Sequence, residues 1–156
     1  MSIYQNNFFI IPKKGDYSLF EGMNLSSFLD DIFFDDEFLW KNNTFNYDDI
    51  KKHLLKVGLE IGESWSEDLQ IFGDNETNCI KIFIENRKIV SASFRINFLT
   101  DFSNFLKDTI EFCKVFNLFI VDNDLNILEL DYEVIQNNLL NSKAFYNYNN
   151  FGNRSE

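Results

Sequence analysis

The sequence predicts an α+β fold: a mainly antiparallel sheet, arranged as a meander, with helices packed on one face. Three observations lead there. Two stretches of strict two-residue alternation stand next to each other between residues 78 and 98. Stripes of apolar residues at helical spacing precede and follow them. One proline and six glycines in 156 residues leave no linker that would divide the chain.

Phe8 to Ile11 is a short apolar run stopped by Pro12, which predicts a first strand. Leu25, Phe28, Leu29, Ile32 and Phe33 then follow the i, i+3, i+4, i+7, i+8 pattern of a helix, with Asn24 placed to cap it. The segment from Asp35 to Trp40 is expected to end that helix and fold its aromatics onto the core. A second helix is expected from about Asp48 to Val57. Two acids open it, Lys51, Lys52 and Lys56 follow, and Gly58 closes it.

In the alternating region, Ile80, Ile82 and Ile84 share one face of a strand. Val90, Ala92, Phe94, Ile96 and Phe98 share one face of the next. A two-residue turn at Asn86-Arg87 would set Ile82 opposite Ser91 and mix the faces. A three-residue turn, Asn86 to Lys88, places Ile84 by Val90, Ile82 by Ala92 and Ile80 by Phe94, and this is the expected register. Leu69 to Phe72 adds a preceding strand through the turn-rich 73–78 segment.

Asp101 is set to cap a helix whose stripe is Phe102, Phe105, Leu106, Thr109, Phe112, Cys113 and Phe116. Leu118 to Val121 and Ile127 to Leu130 flank an Asx-rich loop as a hairpin. A last helix follows Asp131. One α+β domain is expected over residues 1–146, with a frayed tail over 147–156.

Composition narrows the function. A chain of this length can bury roughly 70% of its unfolded surface, so it needs no disulfide or metal staple. The 19 Phe and 21 Asn carry no functional information, because AT-rich codons produce both. The net charge of −11 disfavours nucleic acid and anionic membranes as partners. Apolar runs are far too short for a membrane span, and Pro12-Lys13-Lys14 after the first run is the wrong order for a secretory signal. Cys79 and Cys113 lack CxxC spacing and read as buried thiols of a reducing cytoplasm.

No catalytic motif emerges. His53, the only histidine, reads as a solvated residue of a lysine-rich helix rather than a general base. No P-loop, GxGxxG, GxSxG or HExxH string is present, and one His with two scattered Cys disfavours zinc. Asp122, Asp124, Asn126 and Glu133 match positions 1, 3, 5 and 12 of an EF-hand loop, but Ile127 stands where the sharp turn needs Gly. An Asx-rich turn is the expectation there. Neither a metal nor another cofactor is expected. Arg95, on the polar face of its strand, could anchor a ligand carboxylate, but pairing with a neighbouring acid is the expectation.

Charge is unevenly spread. Residues 1–80 carry −9 and residues 81–156 carry −2. No Lys or Arg occurs between Lys56 and Lys81, an interval that holds Glu60, Glu63, Glu67, Asp68, Asp74 and Glu76 with Trp65 among them. A second cluster, which includes Asp35, Asp36 and Glu37, precedes Trp40. An acidic surface with an aromatic anchor suits a basic protein partner, since charge speeds encounter and a buried Trp supplies the hot spot. The competing expectation is a solvated acidic surface with both tryptophans in the core.

Trp65-Ser66-Glu67-Asp68 leading into strands, Ser91-Ala92-Ser93-Phe94-Arg95-Ile96, the helix from Asp101 and Asn141-Ser142-Lys143-Ala144-Phe145 form an ordered set. In this order the chain, over roughly residues 60–146, resembles the small acidic immunity proteins of bacterial polymorphic-toxin loci. The resemblance implies a non-enzymatic cytoplasmic inhibitor that binds and blocks a toxin domain, and the acidic first half would suit a basic surface on it. It assigns no catalytic residue. The alternatives are a ligand-binding protein or enzyme with a pocket around Arg95, and a subunit of a larger assembly.

Overall fold

The computed structural model describes residues 3–15, 17–28 and 36–152. The fold is α+β, built on one six-stranded antiparallel sheet. In chain order the strands are β1 (Gln5–Pro12), β2 (Leu69–Gly73), β3 (Cys79–Glu85), β4 (Lys88–Asn97), β5 (Leu118–Val121) and β6 (Ile127–Leu128). The helices are α1 (Glu37–Trp40), α2 (Tyr47–Lys56), α3 (Ser103–Val115), α4 (Tyr132–Leu140) and α5 (Lys143–Phe151), with a 3-10 turn at Leu25–Phe28. Strands β2, β3 and β4 form the expected meander. Strand β1 then enters between β4 and β5, giving the order β2-β3-β4-β1-β5-β6.

The longer helices cover one face. Phe8, Ile10, Ile80, Ile82, Ala92, Phe94 and Ile96 of the sheet pack there against Leu54 of α2, Leu106 and Phe112 of α3, Ile135 of α4 and Ala144 of α5. The opposite face is not bare. Ile11, Phe119 and Val121 alternate with core-facing neighbours and bury a second layer with Leu25, Leu39 and Leu125. The apolar runs of β1 and β5 are continuous for that reason: both faces of these strands are covered. At the other side of the same face Leu69, Ile71 and Cys79 form a small third cluster. Lys81, Ser91, Ser93 and Arg95 lie between the two, on the same face by register.

The β3–β4 hairpin corrects the expected turn. Its loop is the two-residue Asn86-Arg87, with φ of 53° and 65°, the left-handed pair that a tight hairpin needs. Glu85 faces Lys88 and Ile84 faces Ile89, not Val90. A β-bulge then shifts the register, so that Phe83 meets Ser91, Ile82 meets Ala92 and Ile80 meets Phe94. Val90 is the extra residue, and it restores the parity that a two-residue turn alone would break.

Helix starts follow the capping rules. Asn46 accepts from the Asp48 amide at the start of α2, and Asp131 accepts from the Glu133 and Val134 amides at the start of α4. Asp101 accepts from the Ser103 amide at 3.1 Å, although Phe102 occupies the capping position of α3. Asn24 accepts from the Ser26 amide at 2.9 Å, at the start of the 3-10 turn Leu25–Phe28. Leu29, Ile32 and Phe33 of the expected first helix lie outside the described residues. Residues 147–151, expected to fray, continue α5, where Tyr148 packs against Phe98 and Phe145.

His53 is not a solvated helix residue. Its ring stands edge-on to Phe116 and tilted over Phe112, with Nε2 buried and without a partner among the described residues. Asp122 is buried and its carboxylate accepts the amides of Asp124 and Asn126 and the side-chain amides of Asn126 and Asn138. It thus organises the β5–β6 loop as an Asx turn and ties it to α4.

Candidate functional site

Strand β2 borders one side of the sheet, and the acidic interval folds around it. Residues 60–62 run antiparallel beside β2, with Gly62 donating to the Ile71 carbonyl at 2.8 Å and Gly73 donating to the Glu60 carbonyl at 2.7 Å. Gly73 is required at the strand end: its φ is 104°, and a Cβ would sit 2.6 Å from the Asn78 carbonyl oxygen. Between this segment and the 73–76 turn lies a cleft of about 540 Å³, with Glu60, Glu63, Asp74 and Glu76 among its walls and no Lys or Arg. At the other end of β2, Asp68 lies on two adjoining grooves, one shared with Glu37 and Glu85 and one with Asp48, Glu67 and Arg87. At the usual rise per residue β2 spans roughly 17 Å, so carboxylates flank it at both ends.

Of the residues expected to bind a partner, Glu37, Glu60, Glu63, Glu67, Asp68, Asp74 and Glu76 are exposed. No hydrogen bond or ion pair with a described residue engages the side chains of Glu60, Glu63, Glu67 or Asp68. Trp65 is 66% exposed, so the expectation of two core tryptophans fails for it. Trp40 is 2% exposed and donates from Nε1 to the Ile10 carbonyl at 3.0 Å, in the space beside β4 that β1 leaves. Lys81 Nζ lies 5.0 Å from the centre of the Trp65 ring. Asp36 corrects the expectation: it is 6% exposed and accepts from Ser91 Oγ at 2.9 Å and 3.0 Å, so its carboxylate turns inward at the start of α1. Asp35 lies outside the described residues.

The 74–78 turn is held from beneath. Asp74 accepts the Glu76 amide through Oδ1 at 2.8 Å, and its own amide donates to the Asn78 carbonyl at 3.0 Å. Arg95, 9% exposed, donates from Nε to the Thr77 carbonyl at 2.9 Å and from Nη2 to the Asn75 carbonyl. Gln5 Nε2 donates to the Glu76 carbonyl at 3.1 Å. Arg95 therefore holds a turn by its backbone carbonyls, with no acid paired to it among the described residues, and that role was not readable from the sequence. Its guanidinium leaves the side chains of Asp74 and Glu76 facing solvent on a fixed backbone.

The buried thiols play no part in this surface. Burial pushes the Cys113 thiol well above its ordinary value. It also pushes Cys79 up, against the pull of Arg95 and Lys81 in the other direction. Among the described residues no group of His, Cys, Asp and Glu is arranged to hold a metal ion. No helix of the described residues is long and apolar enough to cross a membrane.

No protein-family model, curated protein or solved structure matches the chain.

Proposed function

We propose that this chain is a non-enzymatic binding protein, an immunity-type inhibitor that docks its acidic β2 edge on a basic toxin domain in the bacterial cytoplasm. The observation that carries the reading is the arrangement around β2. Exposed carboxylates flank both ends of one edge strand, and a 66% exposed indole stands among them. Such a surface attracts a basic partner at long range and offers an aromatic anchor at short range. The fixed backbone of the 74–78 turn lowers the ordering cost of docking there.

The reading through an Arg95 pocket is less well supported, because that guanidinium is buried and directed at two backbone carbonyls. The deciding experiment is capture of partners on the tagged protein in its source cell at low and at high salt, with mass spectrometry of what is retained. A single basic protein held in near-stoichiometric amount and released by salt is the expected result. The Glu63→Lys, Glu67→Lys, Asp68→Lys variant should lose that protein. Undiminished capture by the folded variant overturns the acidic-edge mechanism.

A further inference from the structure

We propose that the chain segment beside β2 is a strand-addition site, which accepts an extended lysine- or arginine-rich segment of the partner. This rests on the acidic-edge reading and adds the manner of docking. Ile61 faces Phe72 in an antiparallel bridge whose two flanking hydrogen bonds come from Gly62 and Gly73. In that geometry the N–H and C=O of Ile61 itself point away from β2. Neither has a hydrogen-bond partner among the described residues, and Ile61 is 48% exposed. The sheet thus continues one rung past β2 and stops with its donor and acceptor open, the pattern that a new strand extends.

The surroundings select the occupant. Ile61 also lines the cleft of about 540 Å³, together with Gly58, Gly62 and Gly73. A Cβ on Gly62 would make a tight contact with the chain on its inner side, 3.1 Å from the Gly73 carbonyl oxygen. Glu60, Glu63, Asp74 and Glu76 stand around the cleft without a base. A second copy of this chain would set those carboxylates against their own kind, within a net charge of −11. A basic extended segment meets both the backbone and the charge. The opposite sheet edge is different: Gly22 donates to the Ile127 carbonyl, Ile127 to the Met23 carbonyl and Leu25 to the Leu125 carbonyl, so β6 is covered.

The probe is a short synthetic peptide of alternating lysine and valine, compared with the same peptide N-methylated at alternate backbone nitrogens. Binding is followed by NMR on the full chain, together with hydrogen exchange of the Ile61 amide. The plain peptide should bind and slow exchange at Ile61. The methylated peptide, equal in charge, should bind about tenfold more weakly or worse. Ile61→Pro, which removes the outward N–H and spares the two flanking bonds, should weaken the plain peptide to the same degree. If that variant does not fold, the two peptides decide the matter on the native chain. Equal binding of both peptides, no protection at Ile61, or no binding of the plain peptide overturns strand addition. If the Glu63, Glu67 and Asp68 reversals still abolish partner capture in that case, the acidic-edge reading survives without it. Capture that withstands the reversals removes the edge reading itself.

Discussion

The ammonium of Lys81 stands over the ring of Trp65 at 5.0 Å, on an indole that is two-thirds in solvent. Lys81 projects from the same sheet face as Leu69, Ile71 and Cys79, and the 63–68 segment, tied where the Ile84 amide donates to the Asp68 carbonyl at 2.7 Å, brings Trp65 to it. An exposed cation–π pair contributes about 0.5–1 kcal/mol. That is enough to bias the ring position and too little to matter for folding.

The two tryptophans should therefore separate cleanly. Trp65→Ala should change unfolding free energy by less than about 1 kcal/mol. Trp40→Ala empties a core position and removes the bond to the Ile10 carbonyl, and should cost about 3–5 kcal/mol. Urea titration of both variants checks this. In fluorescence, iodide should quench Trp65 and leave Trp40 emitting to the blue. Equal quenching in the single-tryptophan variants Trp40→Phe and Trp65→Phe would refute the assigned exposures.

Arg95 should act as a fastener of the acidic turn. Arg95→Met keeps much of the side-chain volume and removes both donors to the Asn75 and Thr77 carbonyls. A loss of about 1–3 kcal/mol is expected, with faster hydrogen exchange at the Glu76 and Thr77 amides. Exchange unchanged at those two amides would show that Gln5 and Asp74 hold the turn unaided.

Asp122 is the corresponding hub at the far side of the sheet. Asp122→Ala leaves the amides of Asp124 and Asn126 and the side chain of Asn138 without their acceptor. The expected cost is about 2–4 kcal/mol, with Asp122→Asn milder because one oxygen still accepts. Thermal unfolding of the two variants measures the difference, and the reverse order would argue against the carboxylate as the organiser.

Alkaline pH should weaken the fold through its buried acids. Burial raises Cys79 and Cys113 above the ordinary thiol value of 9.0, and raises Tyr47 to about 12 with a further push from Asp48. Below pH 9 folded and unfolded chains both keep these protons, and stability does not depend on them. Above it the unfolded chain releases protons that the folded chain retains, so stability falls as pH rises. Urea midpoints between pH 8 and 11 should decline, and Cys79→Ala with Cys113→Ala should flatten the first part of that decline. An unaltered slope would exclude the thiols as its source.

Much of this architecture was legible because period 2 survives in the sequence at β3 and β4 and period 3.6 at α3, while charge order and Gly58 mark α2. What failed did so for local reasons. One extra residue, Val90, leaves no trace in a hydrophobic pattern, so the hairpin parity pointed to the wrong turn length. Phe8 to Ile11 and Leu118 to Val121 are apolar on every residue, which hides the second buried layer and the place of β1 between β4 and β5. The acidic site was readable as charge, since a gap in lysine and arginine from 56 to 81 needs no structure to be seen. Asp36, Arg95 and Ile61 were not: one turns inward to Ser91, one reaches a turn eighteen residues earlier, and one borders the sheet from outside any strand.

The bulge at Val90 has one more consequence. Because the turn already closes in two residues, taking Val90 out would leave Ile84 opposite Ile89 and Phe83 opposite Ser91, and every pair beyond them as it is. Chains of common descent could thus differ in length by one at this point with no side chain changing sides. In an alignment, a single gap opposite Val90 would record a trimmed kink, whereas a gap opposite Ile89 or Ser91 would take away a residue that has a partner across the hairpin.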